Sequence, residues 1–183
     1  MKLRDLNYIF GYQKITKVDD KLFRGSAAFT PIKMARLKLK GVEQVIDLRT
    51  SNVAGATTAK SLEKFYCKCF NIKYINMPLK LNSNFLPKGI SFEDVVAKIN
   101  ESKLKTYIHC HYGRHRTGEC VAVYQKQKNL NEDNIIHGLL ENGWNKKIDF
   151  VEKSYKSLLV FLQKYFPNSK HIKEAEKYKK RFG

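Results

Sequence analysis

A short apolar run, KTYIHC (residues 105–110), passes directly into a polar turn bracketed by glycines, HYGRHRTG, and then into a segment rich in helix formers. This order constrains the fold more than any other feature of the chain. A run this short and apolar is a buried strand. A strand that feeds a helix is half of a βα unit, and such units build parallel sheets covered by helices. The rest of the sequence alternates in the same way. QKITKV (13–18) and KLFR (21–24) read as a hairpin around Asp19-Asp20. Pro31 suits the first turn of a helix through about Leu39, stopped by Gly41. VEQVIDL (42–48) and IKYINM (72–77) read as strands around a helix over 56–69, in which Leu62, Phe65, Tyr66 and Cys69 are spaced to share one face. Residues 78–90 read as a loop, and Ser91 with Asp94 as the cap of a helix to about Asn100. Helices follow over Thr117–Lys128, from Asn131 to near Gly143, and over roughly 149–165, where Pro167 closes the last. The expected fold is α/β, with a mostly parallel sheet of about four to five strands flanked by helices.

The length of 183 residues matches one domain, and a hydrophobic content of 43% supplies a core. A single domain over 1–183 is expected, with a basic tail from about 168. No run approaches the roughly 18 apolar residues of a membrane span, and the N-terminus lacks the apolar stretch of a signal peptide. Four cysteines are too few for a disulfide scaffold, so a reducing cytoplasm is the expected compartment, with the protein a monomer not inserted in a membrane. The net charge of +18 is spread along the chain. It points to an anionic partner or substrate, or only to a Lys-rich solvated surface.

The segment His109–Gly118, HCHYGRHRTG, carries the chemistry. A turn from a strand into a helix aims several backbone N–H groups into one hollow, and the helix N-terminus adds partial positive charge. An anion is stabilised there, and Cys110 at its mouth is favoured as thiolate near neutral pH. Arg116, six residues on, returns its planar fork to the same hollow and matches two oxygens of a phosphate. Gly113 and Gly118 permit backbone angles and close approaches that a Cβ would hinder. A thiolate in a phosphate cradle implies attack on phosphorus and a cysteinyl-phosphate. Three other readings are weaker. The spacing in GRHRTGEC resembles a nucleotide-binding loop, but Glu119 stands where that loop needs Lys. The His and Cys spacings match no usual zinc site, so neither metal nor cofactor is expected. A plain core cysteine leaves Arg116 and the glycines unexplained.

The HC-x5-R-T-G loop resembles the signature of the cysteine-dependent protein tyrosine phosphatase superfamily, in its compact dual-specificity-like branch of bacterial, fungal and plant type. KLFRGSAAFTP, GVEQVIDLRT and NLNEDNIIHGLLENGW are similar to other segments of that branch, and the likeness covers roughly residues 15–165. It implies Cys110 as nucleophile and Arg116 as phosphate ligand. It implies that Thr117 hydrogen-bonds the sulfur and that His109 orients the loop and tunes the thiolate. His111, Tyr112, Gly113, Arg114, His115 and Arg116 would offer backbone N–H groups. Arg24, Asp47 and Arg49 match recurrent positions, read here as scaffold. Some members protect their cysteine as a disulfide, a role open to Cys67 or Cys69; two partly buried thiols are the plainer reading.

The family's general-acid Asp is missing. Its window, residues 77–87, holds no Asp or Glu, and the only acid between Asp47 and Glu93 is Glu63. His115, just before the arginine, is the leading substitute, since histidine donates a proton near neutral pH. Glu93 or Asp94 is a second source, and a leaving group that needs no acid is a third possibility. The loop is also crowded with His111, Arg114, His115 and Arg116, and Lys80 stands at the acid-loop position. One phosphate does not need so many cations; a polyphosphorylated substrate would use them. The expected function is therefore hydrolysis of phosphomonoesters on proteins, of the tyrosine or dual-specificity kind. The alternatives are phosphatase action on inositol phosphates or phosphoinositides, removal of phosphate from a 5′-triphosphate RNA end, or a weakly active phosphate-binding pseudophosphatase.

Overall fold

The computed structural model describes residues 15–50, 56–79, 89–143, 151–173 and 176. The chain opens with strands β1 (Thr16–Lys17) and β2 (Leu22–Ser26), joined where Asp19 Oδ1 accepts from the amides of Lys21 and Leu22. A carboxylate that satisfies two turn amides explains why Asp-Asp marks the reversal. Helix α1 (Pro31–Leu39) starts at Pro31 behind Thr30, whose hydroxyl accepts from Lys33 N. Strand β3 (Gln44–Asp47), helix α2 (Ala56–Cys69) and strand β4 (Lys73–Asn76) follow. Helix α3 (Phe92–Glu101) is closed at its start by the reciprocal Ser91–Asp94 capping box. Strand β5 (Thr106–Cys110) leads into α4 (His115–Gln127). Helix α5 (Glu132–Gly143) has Asn131 Oδ1 bonded to Asn134 N at its start, and α6 is Val151–Tyr165.

The strands form one five-stranded sheet in the order β1-β2-β5-β3-β4, parallel except for the β1–β2 pair. This is the α/β layer fold that the strand–helix alternation implies. Side chains alternate across the pleat. Leu22, Ile46, Ile108 and Cys110 face one layer of core, shared with Val95, Val96, Ile99, Ile136, Leu158 and Phe161 from helices α3 to α6. Phe23, Val45 and Tyr107 face the other, shared with Met34, Leu37 and Cys67 from α1 and α2. The register sets Ser26 beside Cys110 and Asp47 beside His109, so the parallel strands end together at one edge. Ligands of open α/β sheets bind at that carboxyl edge.

Two expectations need correction. Leu62 and Phe65 of α2 are 41% and 58% exposed, and Cys69 is exposed; the buried positions are Glu63 and Cys67. A buried carboxylate won the inner face because its charge is matched there. Helix α4 also begins at His115 rather than Thr117, so His115 and Arg116 lie in its first turn.

Candidate active site

The turn between β5 and α4 is shaped by close packing against β2. Gly113 has φ +70°, and a Cβ there would run into the Gly25 carbonyl and come within 2.7 Å of Ser26 N. Only glycine fits both conditions. Arg24 Nη2 donates to Gly113 O at 2.9 Å, and Ala27 N to His111 O at 3.1 Å. Gly118 lies so close to α5 that a Cβ would meet Leu139 Cδ1 at 2.9 Å. Arg24 is thus a buried strut of the loop, as its scaffold reading implies, and burial holds its pKa down to about 10.

Cys110 ends β5 with its side chain in the core layer of α4, nearly buried. No side chain caps α4, and its first turn holds no acid. Its first amides are therefore left for an anion. Arg116, half-buried in that turn, donates from Nη1 to Leu48 O at 3.0 Å and to Leu79 O at 3.1 Å. Its guanidinium is thereby tied to the ends of β3 and of the segment after β4. Thr117 is buried, and its Oγ1 has no hydrogen-bond partner among the described residues, so the expected bond to the Cys110 sulfur is not made.

Around the turn, Tyr112 and Arg114 are exposed and His111 and His115 half-buried. The His111 and Tyr112 rings meet edge to face at 4.5 Å. Burial, reinforced by Arg49, Arg116 and His109, lowers the His111 pKa from 6.5. Burial, reinforced by Arg114 and Arg116, lowers that of His115. Both imidazoles are therefore held towards the neutral form at neutral pH. Lys80 lies outside the described residues, as does most of the 78–90 loop. Glu93 and Asp94 serve other ends: Glu93 accepts from Tyr165 OH at 2.9 Å, and Asp94 holds the Ser91 cap. Although some burial opposes it at Glu93, hydrogen bonds keep both below the ordinary carboxylate range, so neither is suited to donate a proton near neutral pH.

Beneath the turn lies a buried cluster that sequence reasoning missed in part. Asp47, Arg49, Glu63 and His109 are each at most 2% exposed. Arg49 bonds Asp47 through Nε at 2.9 Å and Nη2 at 3.0 Å, and its Nη2 also bonds Glu63 Oε2. Glu63 Oε1 accepts from Ala28 N at 2.7 Å and lies 3.0 Å from His109 Nε2. His109 Nδ1 is 3.0 Å from Cys110 O and 3.8 Å from Asp47 Oδ1. Burial alone would raise the Asp47 pKa, but His109, Arg49 and Tyr74 more than offset it and bring it to about 2. Asp47, Glu63 and His109 bring three metal-type ligand atoms within 4.8 Å of one another. Both carboxylates are already bonded to the Arg49 guanidinium, so the set reads as an ion-pair network rather than a metal site. No sequence signal marked Glu63, because the groups it meets, Ala28 N, Arg49 and His109, come together only in the fold.

The remaining thiols are free and lie apart from this turn or deep in the core. Cys67 packs against Met34 in the layer opposite the Cys110 side chain, and burial pushes it up to about 12. Cys69 is exposed and Cys120 buried. The sheet between Cys67 and Cys110 speaks against a disulfide joining them.

Comparison with solved structures finds the same fold elsewhere. The catalytic core of the PP-IP phosphatase SIW14 from S. cerevisiae, in complex with citrate, superposes with a TM-score of 0.57 at 15% identity, covering 89% of this chain and 91% of that one. A DUF442 protein from Shewanella putrefaciens gives 0.62 at 18% identity, covering 90% and 99%. TpbA from P. aeruginosa, in complex with pTyr, gives 0.58 at 10% identity, covering 92% and 94%. These likenesses establish the fold. No curated protein matches the sequence. The profile of the family described as DSP-PTPase phosphatase fused to NAD+ kinase matches residues 11–154, well over half of the chain. The chain therefore belongs to that DSP-PTPase family and is a phosphoric monoester hydrolase of the protein tyrosine phosphatase type.

Proposed function

We propose that the chain hydrolyses phosphomonoesters through a cysteinyl-phosphate on Cys110. The thiolate attacks phosphorus, the P–O bond to the leaving group breaks, and water then attacks the phosphoenzyme and releases phosphate. One observation carries the reading: Cys110 and Arg116 flank a glycine-shaped turn whose helix start is uncapped. The amides of His111 to Arg116 and the free part of the Arg116 fork cradle the phosphoryl oxygens, and charge building on them is stabilised where it develops. Thr117 Oγ1, buried and unpartnered, is available to the sulfur once the site is filled.

His115 supplies the proton to the leaving oxygen. Its lowered pKa sets the sign: the charged donor form grows as pH falls below 6.5 and fades above it. Turnover of alkyl phosphates should therefore rise between pH 7 and 5, while aryl phosphates, whose leaving groups need less help, should respond less. The first-choice substrate is a phosphorylated protein of the tyrosine or dual-specificity kind. The exposed rim of Tyr112 and Arg114, with His111 and His115 behind it, favours a second reading in which the substrate carries several phosphates.

The test is phosphate release from an aryl phosphate, a phosphotyrosine peptide, inositol hexakisphosphate, phosphoinositides and triphosphate RNA, with EDTA, across pH 5–8. Wild type should turn over and Cys110→Ser should lose activity by at least about a thousandfold. His115→Ala should lose alkyl more than aryl esters. Turnover that survives Cys110→Ser would end the cysteine mechanism. Binding of phosphate with silence on every ester would leave a phosphate-binding module in its place.

A further inference from the structure

Positions 60, 63 and 67 of α2 follow one another at helical spacing and share a face. Cys67 lies in the core and Glu63 beneath the turn. A helix that returns from β3 to the parallel strand β4 runs against both, so its start stands at their carboxyl edge. Lys60, one turn nearer that start and half-buried, therefore reaches the edge where the phosphate cradle lies. Its Nζ donates to Asn76 Oδ1 at 3.2 Å. Asn76 ends β4 in register with Asp47, and its Nδ2 donates to Asp47 O at 2.8 Å and Arg49 O at 3.2 Å. Arg116 donates to the carbonyl between them, Leu48 O, at 3.0 Å.

The ammonium stands among like charges. Burial, with Arg49 and Arg116, lowers the Lys60 pKa from 10.5, although Asp47 and Glu63 pull the other way. The same two guanidiniums press on His111 of the turn. Both carboxylates are committed to Arg49, and Lys60 makes no ion pair among the described residues; its partner is a neutral amide. Lysines elsewhere on the surface close on acids, Lys17 on Asp20 and Lys128 on Asp19 among them. Cations gathered without an acid of their own, and partly shielded from water, make a site for an anion. An ammonium has three donors, and Asn76 takes one, so two are left for a ligand.

We propose that Lys60, held by Asn76, is a specificity-determining residue that binds a second phosphate of the substrate, beside the one cradled by Cys110 and Arg116. Lys60, through Asn76, and Arg116 are both tied to the main chain of Asp47–Arg49, so the two phosphates belong on one small molecule. This rests on the reading in which the substrate carries several phosphates.

The probes are inositol hexakisphosphate and inorganic phosphate, bound to full-length Cys110→Ser and followed by calorimetry at about 0.1 M salt, where distant surface charges are screened. Adding Lys60→Met should weaken inositol hexakisphosphate about tenfold and inorganic phosphate less than about threefold. Lys60→Arg keeps the charge and should keep most of the preference. Lys17→Met removes the same charge on β1, at the far edge of the sheet from β4, and should shift neither ligand by more than about twofold. Equal weakening of both ligands in Lys60→Met would make Lys60 part of a general field, and no weakening would make it a solvated surface lysine. Either result overturns the proposal. If inositol hexakisphosphate binds Cys110→Ser no more tightly than inorganic phosphate, the several-phosphate reading fails and the proposal with it. None of these readouts needs turnover, so failure here is distinct from failure of the cysteine mechanism, which the loss of activity in Cys110→Ser reports.

Discussion

At the scale of single residues, the site depends on one backbone angle and one buried set of ion pairs. Gly113→Ala should destabilise the protein by more than about 2 kcal/mol, because the residue needs positive φ and the Cβ meets the Gly25 carbonyl. Thermal melting with and without phosphate checks this, and a melting point within a degree of wild type would contradict it. Asp47 adds a pH dependence. Its folded pKa, near 2, lies below the unfolded value near 3.8, so its contribution is fully present above pH 4 and disappears as pH falls towards 2. The size is roughly 2 kcal/mol, and Asp47→Asn should flatten that part of an acid-unfolding curve. The cysteine, the arginine and the two glycines were legible because each type answers a demand of anion chemistry or close approach. Glu63 was not, because its partners Arg49, Ala28 and His109 are distant in sequence, and only the fold brings them together.

At the scale of elements, caps and breakers placed most of the secondary structure. Pro31, the Ser91–Asp94 pair and Asn131 each start a helix where their chemistry implies. The misjudged face of α2 shows the limit of apolar spacing. Leu62 and Phe65 sit at helical intervals, yet the inner face is taken by a carboxylate with buried partners. Charging the outer face should therefore be harmless: Leu62→Glu and Phe65→Glu should each shift the urea-derived stability by no more than about 0.5 kcal/mol. Ile99→Ala on α3, fully buried, should cost about 2–5 kcal/mol by the same measurement. Equal effects at the two sites would refute the assignment of faces.

At the scale of the whole molecule, a net charge of +18 sets a field around the site. Such a field raises the local concentration of anions and is weakened by salt. For a substrate with several phosphates, KM should climb several-fold between about 50 and 300 mM salt while kcat stays level. An aryl phosphate should show a much smaller change. Equal responses would mean that the charge is a solvated surface without a part in substrate capture. Composition made the charge plain from the start, but its pairing and its distance from the turn are properties of the fold.

The strand order carries a consequence in time. Strands β2 and β3 leave the ribosome well before β5, yet they flank it and pair through it. Until residues 106–110 arrive, a slot stands open in the middle of the sheet, and the bonds that hold the turn against β2, Arg24 to Gly113 and Ala27 to His111, span a long stretch of chain. Closing such loops is slow and comes late. The strand that fills the slot is also the one that ends in the reactive thiol. A chain cut short before this strand therefore lacks the thiol and the filled sheet together, and reactivity arrives only with the last piece of the sheet.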